Sequence, residues 1–355
     1  MRIRVVASDM PNPQGTAAGR DLWAWCEAAR ALGHDLAAWI WKVSPISPTT
    51  QVPDWADYRP VQRRGFGGTF VTIDDALRTG FSPDEETVVV ADNLPSGGAA
   101  VRHPRSVITV HFRALLDSWS VRKLRPWHVR TAFEEFRLSH RARLVLAYSE
   151  RVGRHLARSV TVVPMTAPLP EAPIPAVEGP VAALLADWWW PPNRAALREL
   201  LRVWPEVRAL VPGAQLILGG RNLPSNWVGT MAGVEVVGPV ADSTEVLARA
   251  GVMAFPCPSS SGPKGKTLEA LAHGLAVVTT PAGMEGLKLL PGTEAMIVDR
   301  LSFGRRLATV LVDPAERLRL GELGRQSILA YHAPEVAVRA RMRVFKSTFE
   351  PAPSA

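Results

Sequence analysis

The sequence predicts an α/β protein made of two doubly wound, Rossmann-like domains that face each other across a cleft. The chain has 355 residues, which is long for a single hydrophobic core. Short apolar segments alternate with amphipathic helical segments, as in parallel sheets covered by helices. A proline-rich stretch from Pro164 to Pro180 separates two such series and predicts a stiff linker. We expect a first domain over residues 1–165, a linker over 166–180, a second domain over 181–332, and a final helix and tail over 333–355.

The composition narrows the possible classes of protein. Hydrophobic residues make up 47% and charged residues 21% of the chain, as in globular proteins. No apolar run reaches the roughly eighteen residues of a membrane span, and the first ten residues read as a strand rather than a signal peptide. Cys26 and Cys257 lie in different halves, which argues against a disulfide framework or a cysteine metal site. We expect a cytoplasmic protein.

The formal net charge of +8 predicts an acidic partner. Nucleic acid is one candidate, but the arginines are dispersed over helices and no nucleic-acid-binding module is recognisable, so we expect none. An anionic substrate and an anionic membrane surface remain as candidates. The second would place the protein peripherally at the inner membrane face.

The first domain begins with a strand, a glycine-containing loop over residues 8–19 and a helix over 20–32. The proline-rich segment from residue 43 to 64 gives no regular pattern. Further buried strands are predicted at residues 36–41, 87–91, 106–110, 143–148 and 160–163, with Ser149 starting a helix after the fourth of them.

His111 stands at the carboxyl end of the predicted strand 106–110, where an open α/β sheet binds its ligands. A histidine there can donate to a sugar hydroxyl or to a developing phosphate charge. A buried histidine that only satisfies its structural neighbours is the alternative, and the residues leave both open.

The segment from Trp119 to Arg143 is rich in tryptophan and arginine and reads partly as a helix. A basic face with interleaved aromatic residues can lie on an anionic membrane. The alternative is a solvated helix of the first domain.

The second domain starts with a strand at residues 181–185, followed by the tryptophan run 188–190 and a helix that begins after Asn193 and ends at Trp204. A strand at 215–218 ends in a permissive turn, where Gly220 is a candidate for ligand binding and Arg221 for phosphate contact. Asp242 or Ser243 is expected to cap the helix that ends at Ala250. After residue 287, a strand at 294–298 and helices at 302–311, 314–331 and 334–348 complete the chain.

The stretch from Pro256 to Leu287 predicts a strand, a polar loop, a short helix, a second strand and a second loop. Gly262 and Gly265 let the backbone approach a ligand, and the helix N-terminus offers free N–H groups to an anion. Lys264 and Lys266 add two cations, and Glu269 can accept hydrogen bonds from two ribose hydroxyls. The second loop offers backbone N–H groups and another carboxylate near a sugar: Gly283, Met284, Glu285 and Gly286. These features suit a nucleoside diphosphate-sugar.

Two other interpretations of this stretch exist. Gly265-Lys266-Thr267 matches the end of a phosphate-binding P-loop, but Ser260 stands where that motif needs its first glycine. The second interpretation is an ordinary basic loop before a helix, which the ligand-binding character of the second loop makes less favourable.

The run Gly262-x-Lys264-x-Lys266-x-Leu268-Glu269-Ala270, followed by Val277–Thr280 and Gly283-x-Glu285-Gly286-Leu287, resembles the donor site of GT-B glycosyltransferases, specifically the retaining family 4-like group. Many members carry an acidic residue where this chain has Ser261, which affects an expected contact to the donor sugar. The resemblance implies that Gly15 and Thr16 reach donor phosphate, that His111 lies near the donor sugar, and that backbone near Val240 reads the base. It also implies that the final helix crosses back to the first domain.

The resemblance implies transfer of a sugar, of hexosyl type, from a nucleotide-diphosphate sugar to an acceptor with retention of configuration. Lys264, Lys266 and the helix N-terminus would stabilise the departing diphosphate. No Asp-x-Asp pair ends a strand, so we expect no metal and no cofactor beyond the co-substrate. The acceptor would be a small molecule or lipid-linked and bind the first domain. A GT-B-fold epimerase or phosphorylase, and a non-catalytic nucleotide-sugar-binding protein, are the alternatives.

Overall fold

The computed structural model describes residues 1–42, 52–60, 80–113, 126–154, 156, 160–166, 169–259 and 261–350. These residues form two compact units, which we call the first and second domains. The first contains the described residues up to 166 together with 333–350, and the second contains residues from 169 to 332. The proline-rich stretch is thus split between them. Ile174 donates its backbone N–H to the carbonyl of His273, so residues from 169 onwards pack as part of the second domain.

The first domain is built on a seven-stranded parallel sheet with the order β3-β2-β1-β4-β5-β6-β7. The order reverses beside β1, which pairs with both β2 and β4, and this reversal is the mark of a doubly wound sheet. The strands are β1 Arg2–Ala7, β2 Asp35–Lys42, β3 Ala56–Pro60, β4 Val88–Ala91, β5 Ser106–Val110, β6 Leu144–Ala147 and β7 Val160–Val162. The helices are α1 Ala17–Ala31, α2 Gly97–Ala100, α3 Pro126–Arg141 and α4 Glu150–Gly153.

Two predictions for the first domain need correction. The first helix begins at Ala17, three residues before the predicted start, because the Thr16 hydroxyl caps it by accepting from the N–H of Gly19. Strand β3 lies in a stretch predicted to be irregular, where it extends the sheet beside β2. The remainder of that stretch, residues 43–51 and 61–64, lies outside the described residues, as do residues 114–125.

The second domain is built on a six-stranded parallel sheet with the order β10-β9-β8-β11-β12-β13. Its strands are β8 Val181–Leu185, β9 Gln215–Gly219, β10 Val234–Gly238, β11 Val252–Phe255, β12 Ala276–Thr279 and β13 Met296–Ile297. Its helices are α5 Pro191–Leu210, α6 Ser225–Val228, α7 Thr244–Leu247, α8 Gly265–Ala272, α9 Phe303–Val312 and α10 Pro314–His332. The sheet again reverses its order beside its first strand, β8. Both described sheets therefore confirm the predicted fold class.

Helix α5 differs from its prediction at both ends. It begins at Pro191, a favourable first position because proline needs no N–H partner there, so Asn193 lies inside the first turn. It also continues past Pro205 to Leu210. A proline normally ends a helix, but Trp204 and Val207 are buried, so packing favours continuation.

The last helix, α11 Pro334–Lys346, belongs to the first domain. It packs against α1 and inserts Arg341, which is fully buried. Both cysteines are buried, and neither forms a disulfide bond. Within the part of the chain that the structure describes, we find no helix with the length and apolar character needed to cross a membrane.

Candidate functional site

The loop before α8 brings several predicted donor-binding groups to the carboxyl end of β11. Gly262 has a positive φ of 79°, a backbone conformation that favours glycine. No side chain caps the N-terminus of α8, and its first turn carries no acidic residue. The first N–H groups of this helix are therefore a suitable anion site.

Lys264 is buried at the start of this helix. Its Nζ donates to the carbonyl of Ser261 at 3.3 Å and to the carbonyl of Gly262. The ammonium group thus holds the loop in its turned conformation. It also keeps a positive charge within this loop.

Lys266 lies in the first turn of α8 and points to a second element of the domain. Its Nζ donates to Oδ1 of Asn193 at 2.8 Å and lies 4.5 Å from the centre of the Phe255 ring. Asn193 is itself fixed, because its Nδ2 donates to the carbonyl of Asp187 at 2.8 Å. Asn193 therefore positions the lysine, a role that its predicted place before the helix did not suggest.

Glu269 lies one turn further along α8 and is half-buried. The hydroxyl of Ser243 donates to its Oε1. Ser243 makes no side-chain cap, and Asp242 instead accepts from the N–H of Thr244 at 2.8 Å. The loop after β10 and helix α8 thus meet at Glu269.

The second loop packs directly against α8. Its residues Pro281–Met284 form a short 3₁₀-helix, and the Thr267 hydroxyl donates to the carbonyl of Gly283 at 2.7 Å. A Cβ at Gly283 would come within 2.0 Å of the Thr279 hydroxyl, so only glycine fits there. Gly286 has a positive φ of 81°. Met284 and Glu285 are both half-buried.

Gly220 closes the turn after β9. It has a φ of 110°, and a Cβ there would meet the carbonyl oxygen of Ala186 at 1.9 Å, so the turn requires glycine. Its N–H donates to the carbonyl of Gly238, at the end of β10. Val240 lies two residues after Gly238 and is half-buried. Arg221 points to Asp187 at 3.6 Å and is exposed.

In the first domain, the loop after β1 folds onto the start of α1. The N–H of Gly15 donates to the carbonyl of Asn12 at 3.0 Å, and Thr16 forms the helix cap described above. A Cβ at Gly19 would lie 2.3 Å from the carbonyl oxygen of Met10, so the loop needs a glycine for this close approach. Gly15 and Thr16 thus belong to a folded loop at the carboxyl edge of the sheet.

His111 follows β5 at the same edge. Its Nε2 lies 3.7 Å from Oδ2 of Asp92, which follows β4, and its ring packs edge-on against Tyr148 at 5.1 Å. Burial lowers the pKa of His111, although the Asp21 and Asp9 carboxylates oppose this shift. A neutral imidazole in this position can donate or accept a hydrogen bond.

A buried charge cluster lies beneath His111. Arg341 donates to Asp21 at 3.2 Å and to the Tyr148 hydroxyl at 2.7 Å, and lies 3.9 Å from Asp92. Tyr148 donates to Asp21, and the indole N–H of Trp25 donates to Asp92 at 3.1 Å. Burial alone would lower the pKa of Arg341, but interactions with Tyr148, Asp21 and Asp92 raise it. Burial raises the pKa of Asp92, and the Asp21 charge adds to this effect.

Among the described residues, three side chains of this cluster are close enough to share a metal ion, namely Asp21, Asp92 and His111. The guanidinium of Arg341 already lies beside both carboxylates. A cation there would be repelled by this fixed positive charge, so the cluster suits an internal ion pair better than a metal centre.

The predicted residues therefore form one group in each domain. The second-domain group contains Gly220, Val240, Gly262, Lys264, Lys266, Glu269 and the loop from Gly283 to Gly286, and the first-domain group contains Gly15, Thr16 and His111. Sequence reasoning missed the roles of Asn193, Ser243 and Arg341. The Pro191-Pro192-Asn193 element was a usable signal for the first of these, but nothing in the sequence marks the other two.

One known protein family matches a part of the second domain. Residues 180–312 match the family model described as glycosyl transferases group 1. This match lies wholly within the second domain. The matched range contains the whole second-domain group of candidate residues, including both lysines and Glu269. No curated protein sequence matches the chain.

Solved structures extend the likeness to the whole chain. Sucrose-phosphate synthase from Thermosynechococcus elongatus has a TM-score of 0.74 at 15% identity, over 98% of this chain and 99% of its own. WaaG, a glycosyltransferase involved in lipopolysaccharide biosynthesis, has a TM-score of 0.69 at 12% identity, over 96% of this chain and 99% of its own. HepE of Anabaena, in complex with UDP and glucose, has a TM-score of 0.68 at 15% identity, over 98% of this chain and 100% of its own.

The similarity does not always cover the other protein fully. TarM matches with a TM-score of 0.65 at 11% identity, over 78% of this chain but only 58% of its own length. At these identities the structural likeness establishes the fold. The predicted GT-B fold is confirmed, and the group 1 family match supports glycosyltransferase function. The narrower family 4-like assignment stays a prediction.

Proposed function

We propose that the chain is a retaining glycosyltransferase that transfers a hexosyl group from a nucleoside diphosphate-sugar without a metal ion. The observation that carries the proposal is the convergence on α8 of an uncapped helix N-terminus, two lysines and a half-buried glutamate, inside a group 1 glycosyltransferase domain. One short helix thereby provides a binding site for an anion, positive charges to balance it, and a carboxylate that can accept hydrogen bonds from a ribose.

The donor would bind with its diphosphate at the N-terminus of α8 and its ribose at Glu269. Ser243 already donates to Glu269, which shows that the carboxylate can accept a hydroxyl hydrogen bond in this position. The base would lie near Val240, on the preceding loop. HepE was crystallised with UDP, which supports a nucleoside diphosphate as the donor moiety in this fold.

Cleavage of the glycosidic bond builds negative charge on the diphosphate. Lys266, held between Asn193 and the Phe255 ring, would stabilise that charge together with the helix N–H groups. Because these groups supply fixed positive charge, the reaction needs no added cation. His111, whose pKa burial lowers, would offer a hydrogen-bonding imidazole at the sheet edge of the first domain.

The acceptor would bind the first domain, whose sheet edge carries Asp9, Asn93 and His111. Asn93 donates to Ser8 at 2.8 Å and to Asp9 at 3.0 Å, so polar groups from two strand ends are already joined there. The acceptor is a small molecule or lipid-linked. An epimerase or phosphorylase with the same fold would also use the donor site, but it would not transfer the sugar to a separate acceptor of this kind.

The test is turnover with a pool of nucleoside diphosphate-sugars, measured as nucleoside diphosphate release in EDTA and in magnesium. We expect release from one donor that is unaffected by EDTA, with the sugar product formed first in the anomeric configuration of the donor, as followed by NMR. Inversion of configuration would disprove the retaining mechanism. Activity that is lost in EDTA and restored by magnesium would disprove metal independence. Donor binding with no turnover towards any acceptor would favour a binding protein.

A further inference from the structure

Helix α3, Pro126–Arg141, carries a row of exposed apolar side chains. Val129, Phe133 and Phe136 are 57%, 62% and 55% exposed. Their spacing of four and three residues places them on one face of the helix, while Glu135, Leu138 and Ser139 are buried on another. Two phenyl rings this exposed on one helix face indicate a surface that contacts a partner.

A row of basic side chains runs beside the apolar row. Arg130 follows Val129 and Arg137 follows Phe136, and Arg141 follows His140, which extends the line of the apolar row. The basic row therefore runs along the helix next to the apolar row. Glu134 pairs with Arg137 at 2.6 Å, and the buried Glu135 binds Arg113 at 3.0 Å. The outer surface of α3 therefore presents apolar and positively charged groups together.

Helix α3 is connected to the segment that follows His111. Phe112, the next residue, is 44% exposed. Arg113 then donates to Glu135 of α3 at 3.0 Å and to the carbonyl of Arg154 at 2.9 Å, which ties the segment after β5 to the helix. The segment that follows His111 is thus fixed to α3 through the buried side of that helix.

We propose that the outer face of α3 docks on an anionic membrane surface, and that the acceptor is accordingly lipid-linked. The phenyl groups would enter the boundary between headgroups and acyl chains, and the arginines would attract anionic lipid. The charge of the face and the net charge of +8 select an anionic lipid surface over a neutral one. The acceptor class rests on the proposed glycosyltransferase function, whereas the docking itself does not.

The experiment measures binding of the full chain to vesicles of phosphatidylcholine, with and without phosphatidylglycerol, at low and physiological salt. Wild-type protein should bind the anionic vesicles and release with salt, since charges are screened beyond about 8 Å at physiological ionic strength. Phe133→Ser with Phe136→Ser should lower the partition coefficient by about 100-fold, because each ring that leaves water contributes about a factor of ten. The exposed rings can be replaced without opening the core.

The matched control is Leu301→Ser with Leu318→Ser, which removes two exposed apolar side chains from the second domain. It should bind vesicles like wild type. Arg130→Gln with Arg141→Gln should weaken binding only to anionic vesicles. Equal binding of the phenylalanine variant and wild type, or no wild-type binding at low salt, would overturn the proposal. A wild-type dimer that the phenylalanine variant converts to monomer, with no vesicle binding, would assign the face to a second copy instead.

Nucleotide binding by the same variants separates this inference from the proposed function. Loss of vesicle binding with nucleotide affinity retained supports α3 as the membrane face. If wild-type protein binds vesicles but no nucleotide, the docking stands and the proposed function falls, together with the lipid-linked acceptor.

Discussion

The contact between Lys266 and Asn193 gives the sharpest test of the proposed chemistry. Lys266 donates to Asn193 at 2.8 Å, and Asn193 is anchored to the Asp187 carbonyl at 2.8 Å. If this arrangement holds the ammonium ready for the departing diphosphate, removal of either residue should lower the rate of the chemical step. Removal of both should cost little more than removal of Lys266 alone.

The expected magnitudes follow from the charges involved. Loss of one preorganised group that stabilises a developing anion lowers kcat by about 10²–10³-fold, or roughly 2.7–4 kcal/mol. Lys266→Ala should show this effect. Asn193→Ala leaves the ammonium in place but removes its fixed partner, so we expect a smaller loss of about tenfold, near 1.4 kcal/mol. The interaction energy in the double variant should therefore be about 1 kcal/mol or more.

The assay is kcat at saturating donor for both single variants, the double variant and Lys288→Ala. Lys288 is an exposed lysine that stacks on Tyr331, so its removal should leave kcat unchanged. Unfolding midpoints of all variants confirm that each is folded. Strictly additive losses, or an unchanged kcat in Asn193→Ala, would refute positioning by Asn193. An unchanged kcat in Lys266→Ala would remove Lys266 from the mechanism.

Three further predictions concern the donor contact, the buried cluster and its pH dependence. Glu269→Ala should weaken nucleotide binding by roughly 1.5–3 kcal/mol, measured by calorimetry, whereas Ser243→Ala should weaken it far less because the carboxylate remains. Arg341→Met should lower the free energy of unfolding by about 3–5 kcal/mol, since two carboxylates lose their buried countercharge, while the exposed Arg343→Met on the same helix serves as control in urea titrations. Burial lowers the pKa of His111, so below its ordinary value of 6.5 the unfolded chain binds a proton that the native protein does not. The contribution of His111 to stability should fall as pH drops through 6.5, by up to about 1.4 kcal/mol per unit, and His111→Gln should remove it. Asp92, whose pKa is raised, contributes with the opposite sign, so the test is the difference between the stability-pH curves of wild type and His111→Gln.

The fold was predictable because its signals are local. Apolar strands such as Val252–Phe255 and Ala276–Thr279 are fully buried on both faces, so they appear in the sequence as continuous apolar runs. Short polar or glycine turns follow them. Helix ends were less predictable, because Thr16 capping and the packing of Trp204 and Val207 are set by the surrounding structure.

The candidate site was predictable where one short stretch carries it. Gly262, Lys264, Lys266 and Glu269 lie within eight residues of one another, so helix geometry brings them together. The contacts to Asn193 and Ser243 join residues 73 and 26 positions apart.

The buried cluster under His111 was beyond prediction for the same reason. Arg341 and Asp21 are 320 positions apart, and an arginine on a helix normally reads as a solvent-facing residue. Only the packing of α11 against α1 turns this arginine inward.

The central claim is that the second domain binds a nucleoside diphosphate-sugar at α8, and nucleotide binding tests it most directly. A thermal-shift screen against UDP, GDP, dTDP and ADP, each with and without its sugar, should raise the unfolding midpoint for one base. Glu269→Ala should abolish most of that shift without changing the midpoint of the free protein. No shift with any nucleotide, or an equal shift in wild type and Glu269→Ala, would contradict the account.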